Sequence, residues 1–339
     1  MHKIFCFGEI LLRMSPVLNG CWLQQNNMPV YIGGAELNVA TALAKWNTPI
    51  CYCTAMPAHY LSSEMIQYLS KKNIDTTPVQ FRGNRIGIYF LPEGADLKHA
   101  GVIYDRAHSS FAELQPGEID WNKLLEDCTW FHFTAISPAV SESAAAVCLE
   151  AVKIASQKNI TVSVDLNYRA KLWQYGKPPV EIMQQLLPYC NVVMGNIWSA
   201  NTLLGIDIDE HIHTKKSKEA YTDHANATAT AIMQQYPACK TVANTFRFDY
   251  NDGINYYASF NTNNHQYISE EFASEKCVDK AGSGDCFMAG LIYATTQKFS
   301  PQHIINFAAA AAFGKLHEAG DTTSQTVEQI ESLIKKLHA

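Results

Sequence analysis

The chain carries few charges and no long apolar run. Of its 339 residues, 47% are hydrophobic and only 17% charged, so there is material for a large core. No window approaches the roughly 18 apolar residues of a membrane-spanning helix. The opening stretch from Met1 to Phe7 is apolar, but Gly8–Glu9 and Arg13 interrupt it. That is too short for an export signal, and a soluble cytoplasmic chain is expected. Basic runs are missing too. The lysine pairs Lys71–Lys72, Lys215–Lys216 and Lys335–Lys336 stand apart, and the net charge is −6. With a pI of about 6.0, neither nucleic acid nor a membrane is an expected partner.

Cysteine motifs are also lacking. The ten cysteines are scattered, mostly among apolar neighbours, with no C-x-x-C pattern. Cys51 and Cys53 have strand spacing and no nearby histidine, which excludes a zinc site there. Reduced thiols in the core are the expected state. His211 and His213 lie in an acidic polar stretch and read as a solvated loop, so no metal-ligating set is expected. No G-x-G-x-x-G follows the first strand-like run, which argues against a dinucleotide-binding dehydrogenase.

What is present is alternation. Strand-like runs at 3–7, 50–54, 129–133, 161–165, 190–194 and 240–245 alternate with helical periods. Those fall at 34–46, 62–72, 142–157, 180–187, 285–298, 301–318 and 325–337. Ser300–Pro301 supplies a cap and a proline for a helix start. Val327, Ile330, Ile334 and Leu337 share one helix face. This order predicts a three-layer α/β fold, a mostly parallel sheet covered by helices on both faces. Residues 9–32 and 85–105 read as strands without helices between them and predict a small antiparallel β lid on a single domain spanning 1–339. A further hairpin is expected at 254–270, after the Asn251–Asp252–Gly253 turn.

Two motifs carry chemistry. In Asp279–Lys280–Ala281–Gly282–Ser283–Gly284–Asp285, small residues precede an acid and then an amphipathic helix. Backbone N–H groups bared by Gly282, Ser283 and Gly284, together with the helix dipole, make an anion hole sized for a phosphoryl group. A carboxylate beside such a hole suits a base for an incoming hydroxyl, which points to Asp285. The same residues are also compatible with a plain tight turn. In Gly33–Gly34–Ala35–Glu36–Leu37–Asn38, paired glycines let a ligand approach the backbone and Asn38 offers a donor and an acceptor. Such a set fits adjacent sugar hydroxyls, or a helix cap with a buried Asn.

The two motifs in this order, in an α/β chain with a lid, resemble the ribokinase-like (PfkB-type) carbohydrate kinases. Gly33 to Ala40 is similar to their N-terminal signature and Asp279 to Asp285 to their D-T-x-G-A-G-D signature. Within that family, Gly8–Glu9, Gly-Gly-Ala-Glu-Leu-Asn, Tyr104–Asp105–Arg106 and Asp165–Leu166–Asn167–Tyr168–Arg169 with Leu172–Trp173 look closest to the 2-keto-3-deoxygluconate kinases. The resemblance implies ATP as donor, with Mg²⁺ carried by the nucleotide, and a sugar or sugar acid as acceptor. It implies sugar-acid contacts from Gly34, Tyr89, Tyr104, Arg106 and Arg169, and places Asn167 and Arg169 beside the nucleotide phosphates. A homodimer formed through the lid is a further implication.

The residues themselves agree with this. Asn167 and Arg169 sit just past a strand, where open α/β sheets place ligands. Arg106 and Arg169 suit paired hydrogen bonds to a carboxylate or phosphate, and Tyr89 and Tyr104 suit contact from the lid. Asp165 reads as a cap or turn residue. The expected reaction is in-line transfer, with Asp285 taking the hydroxyl proton and a closed lid excluding water.

The chain also departs from the family pattern. Lys280 stands where Thr is usual; beside a phosphate loop it either helps to neutralise charge or is simply exposed, and exposure is the expectation. Asn196–Ile197–Trp198–Ser199 aligns with N-x-x-E, with Ser199 in the place of the Glu that helps order magnesium's water shell. The usual Lys-x-Gly-x-x-Gly is replaced by Val242 to Arg247, and Arg247 is assigned to the nucleotide in its stead. Phe307 to Ala312 is a candidate wall for an adenine pocket. A kinase of a neutral sugar, and a catalytically impaired sugar- or nucleotide-binding regulator, remain the rival readings.

Overall fold

In this computed structural model the described residues are 3–17, 22, 27–92, 101–215, 217–250, 253–263 and 265–336. The strands of the first half are β1 (Lys3–Phe7), β2 (Leu11–Met14), β3 (Val30–Gly33), β4 (Ile50–Cys53), β5 (Ala55–Met56), β6 (Gln80–Phe81), β7 (Gly87–Phe90) and β8 (Ile103–Asp105). There follow β9 (Cys128–Thr134), β10 (Thr161–Asp165), β11 (Val192–Gly195), β12 (Thr241–Tyr250), β13 (Gly253–Thr262), β14 (Gln266–Ile268) and β15 (Phe272–Ser274). The helices are α1 (Ala35–Lys45), α2 (Tyr60–Lys71), α3 (Trp121–Leu124), α4 (Glu142–Gln157), α5 (Pro179–Leu186) and α6 (Ile197–Leu204). The remainder are α7 (Ile212–Lys215), α8 (Lys218–Gln235), α9 (Ser283–Thr296), α10 (Pro301–Lys315) and α11 (Val327–Lys336).

The main sheet runs β14-β13-β12-β11-β10-β9-β1-β4, with β15 also paired to β13. It is parallel from β4 to β12 and antiparallel beyond. Strand geometry divides the core. Successive side chains point to opposite faces, so Ile4 and Cys6 join one buried cluster with α1, α9 and α10, while Phe5 and Phe7 join the other with α3 and α4. The strands are buried on both sides, as a parallel sheet requires. The nine cysteines among the described residues are free thiols, and Cys51 and Cys53 are buried side by side on β4.

The lid is a second sheet, ordered β3-β2-β7-β8. Its outer pairings are antiparallel, as expected, while the central pairing of β2 with β7 is parallel. Parts of both lid segments, 18–21, 23–26 and 93–100, lie outside the described residues. The 254–270 hairpin is formed by β13 and β14. The turn at Asn251–Asp252 also lies outside the described residues, although Tyr250 and Gly253 pair on either side of it.

Four helices, α3, α6, α7 and α8, escape the sequence pattern, and α7 takes up part of the 211–213 stretch read as a loop. In α8 a mostly polar stretch of 18 residues still buries Tyr221, Ala225, Ala229 and Ile232 on one face, a helical spacing diluted by Thr and Asn. In α6, Asn196 and Ser199 form a reciprocal capping box. The Phe307–Ala312 segment corrects another expectation. It is fully buried, and Ala308 and Ala311 face Gly290 of α9. The alanines therefore serve close helix packing and form no wall of an adenine pocket.

Candidate active site

The carboxyl ends of β1, β9, β10 and β11 open beneath the lid into a cleft of about 680 Å³. Open parallel sheets place ligands at this edge. Gly34, Asn38, Tyr89, Tyr104, Arg106, Asn167, Arg169, Asn196 and Arg247 line it together with Gly282, Ser283, Gly284 and Asp285. Gly33 stands behind them. A Cβ there would meet Asp321 and the Tyr89 hydroxyl.

α9 begins at Ser283, with Gly282 as its cap residue and no side chain capping it. Helix geometry leaves the first-turn N–H groups without intrahelical acceptors. Gly282 has φ 76°, and a Cβ would run into the Asp321 carbonyl; nothing lies within 4 Å of a Cβ built on Gly284. The loop is thus pinned on its inner side and open toward the cleft. Gly34, at φ 140°, similarly lets α1 start hard against the Glu9 carbonyl.

Asp285 occupies the first turn of α9 and is buried. Asn38 Nδ2 donates to its Oδ2 at 2.7 Å. Burial pushes the carboxyl up to about 7; the Asn38 bond opposes this, the charges of Glu36 and Asp321 add to it, and Arg169 opposes it. A carboxylate poised there accepts a proton near neutral pH. Asp165, read from sequence as a turn residue, also lines the cleft. Burial, then the neighbouring Asp285 charge, raise it well above the usual carboxylate range.

Arg106 is not the uncommitted cation the sequence suggests. Its Nε and Nη2 both reach Glu9 Oε2 at 2.6 Å, in a pair with side chains 5% and 1% exposed. Asp105, its neighbour in sequence, pairs instead with Arg85. Arg169 keeps one guanidinium nitrogen on the Tyr168 carbonyl, 3.0 Å away.

Sequence reasoning missed a buried network behind the loop. Arg13 of β2, 1% exposed, pairs with Asp279 at 3.2 Å and with Asp321. Asp279 also accepts from the Ala281 and Gly320 amides, and Tyr89 of the lid donates to Asp321 at 2.7 Å. The lid and the loop leading into α9 therefore share one set of bonds. The available signal was a lone Arg among Leu11, Leu12 and Met14.

Glu36 was missed too. Its Oε1 accepts from the Thr134 amide and hydroxyl and from Ser137, which ties α1 to the end of β9. Asn196 spends its side-chain oxygen on the Ser199 amide, so this pair builds a helix start at the rim. His211 and His213 are exposed. Among the described residues no group of three or more His, Cys, Asp or Glu is placed to hold a metal, and no helix is long and apolar enough to cross a membrane.

Comparison with known proteins is consistent with this geometry. The 2-dehydro-3-deoxygluconokinase structure from Thermotoga maritima superposes with a TM-score of 0.89 at 33% identity, covering 99% of this chain and 100% of that one. The 2-dehydro-3-deoxygalactonokinase of Haloferax volcanii is 26% identical over 207 residues. That match covers 61% of this chain and 64% of the relative, under two thirds of its length. A probable fructokinase-7 of Arabidopsis thaliana is 24% identical over 301 residues, 85% of this chain and 77% of the relative. The family described as pfkB family carbohydrate kinase matches residues 1–238 and 251–328. With a family match over most of its length and the Thermotoga maritima superposition at 33% identity, the chain is a member of the pfkB family of carbohydrate kinases.

Proposed function

We propose that the protein transfers the γ-phosphoryl group of ATP to a hydroxyl of a sugar acid, with 2-keto-3-deoxygluconate as the acceptor to test first. The observation carrying this reading is Asp285, held by Asn38 at 2.7 Å in the first turn of a helix whose amides face the cleft. Asp285 takes the proton of the attacking hydroxyl. The N–H groups of Gly282, Ser283 and Gly284 hold the phosphoryl as charge builds on it. Gly33, Gly34, Asn38, Tyr89, Tyr104 and Arg106 shape the acceptor end, Asn167, Asn196 and Arg247 flank the donor, and Arg169 stands where the two meet. Mg²⁺ arrives with the nucleotide, since it keeps most of its waters. It neutralises phosphate charge when bound. Val30 and Ile103, about half exposed on the two edge strands of the lid, support a homodimer through that sheet.

A second reading, a neutral sugar as acceptor, is favoured by the Glu9–Arg106 pair, which cancels one cation expected to meet a carboxylate. Arg169 then carries the discrimination. An ADP-release assay over sugar acids and neutral sugars tests this. The sugar-acid reading expects 2-keto-3-deoxygluconate or a close relative to have the highest kcat/KM, with Arg169→Ala raising its KM by about tenfold or more. Preference for fructose or ribose, unaffected by Arg169→Ala, would establish the second reading.

A further inference from the structure

Four cations line the cleft among the described residues: Arg106, Arg169, Arg247 and Lys280. They face five carboxylates, Glu9, Glu36, Asp165, Asp285 and Asp321. A polyphosphate entering so acidic a cleft needs cations placed away from those acids. Arg106 is neutralised by Glu9, and Arg169 lies within electrostatic reach of the acids Asp285 and Asp165. The other two stand together. Arg247 and Asp249 are two residues apart on β12 and so project to the same side. Lys280 lies two residues before the anion loop, and its Nζ reaches Asp249 Oδ2 at 2.9 Å; Arg247 Nε is 3.7 Å from Asp249 Oδ1. Both cations are only 14–23% exposed, so their attraction for an anion is less screened than at an open surface.

We propose that Lys280 and Arg247, drawn to one point by Asp249, form a two-cation clamp for the phosphates beyond the first on the donor nucleotide. This makes Lys280 a binding residue. Its stem leaves the chain immediately before Ala281 and Gly282, and it lines the same cleft as the loop. The proposal rests on ATP being the donor, and it concerns phosphate number, which the choice of sugar does not affect.

The test is calorimetric binding of AMP, ADP and ATP to the full chain without sugar, in EDTA, so that the protein's own cations are read. Lys280→Met is expected to weaken ADP and ATP by about tenfold or more while AMP changes by less than about twofold, a charge-assisted hydrogen bond being worth at least that ratio. Lys280→Arg should restore most of the loss, and Arg247→Met should reproduce it. Should Lys280→Met misfold, the comparison of Lys280→Arg with Lys280→Gln replaces it. Equal weakening of all three nucleotides, or none, overturns the clamp. Wild-type protein that binds neither ADP nor ATP overturns the donor assignment instead.

Discussion

Asn38 of α1 and Asp285 of α9, 247 positions apart in sequence, are joined by a buried 2.7 Å hydrogen bond at the floor of the cleft. The bond stabilises the ionised carboxylate, while burial and the neighbouring acids favour the protonated form. The balance holds Asp285 at about 7, where a base is neither permanently protonated nor too weak.

A pH dependence follows. In the free enzyme kcat/KM should rise with pH and level off above about 7. Asn38→Ala removes the donor that holds the value down, so its acidic limb should move to higher pH by about one to two pH units. A pH–rate profile of both proteins checks this; an unmoved limb removes Asn38 from any role in tuning the base. Stability has the opposite slope. The folded state holds this proton more tightly than the unfolded chain, whose carboxyl titrates near 3.8. The Asp285 contribution is therefore full below about pH 4 and lost as pH rises through about 7. Asp285→Asn should flatten that part of a stability–pH curve.

Arg13 joins the lid to the loop leading into α9 through Asp279 and Asp321. Arg13→Met would leave two buried carboxylates without their shared cation. The expected loss is about 3–5 kcal/mol, read by urea unfolding. A change below about 1 kcal/mol would show that the network relaxes or admits water at little cost.

Gly282 combines a left-handed backbone with contact against Asp321. Gly282→Ala should cost at least about 1–2 kcal/mol from the backbone alone and should tilt the amides away from their target. Nucleotide-dependent turnover should fall more than stability does, which thermal unfolding and initial rates on the same sample would separate.

The parts of this arrangement legible in the sequence are those with local signatures. Gly282–Ser283–Gly284–Asp285 announces a bare helix start, and the alternation of strands and helices gives the layered sheet. Gly33–Gly34 marks the approach of α1. Pairs of charges that meet only in three dimensions left no such mark. Glu9 and Arg106 are separated by 97 residues, and Arg13 and Asp321 by 308. A lone arginine in a sequence reads as available, and only the fold reveals the buried partner that occupies it. The alanines of α10 failed for another reason, since small side chains serve a flat binding wall and close helix packing equally well. Lys280 read as exposed because nothing in its neighbours points to Asp249 across the cleft rim.

The most direct measurement compares phosphoryl transfer by wild-type protein and Asp285→Asn on the best acceptor from the panel, at pH 8, where the wild-type base is ionised. The account predicts a rate lower by on the order of 10²–10⁴-fold, with the fold and ADP affinity retained. A folded Asp285→Asn variant turning over near the wild-type rate would contradict it.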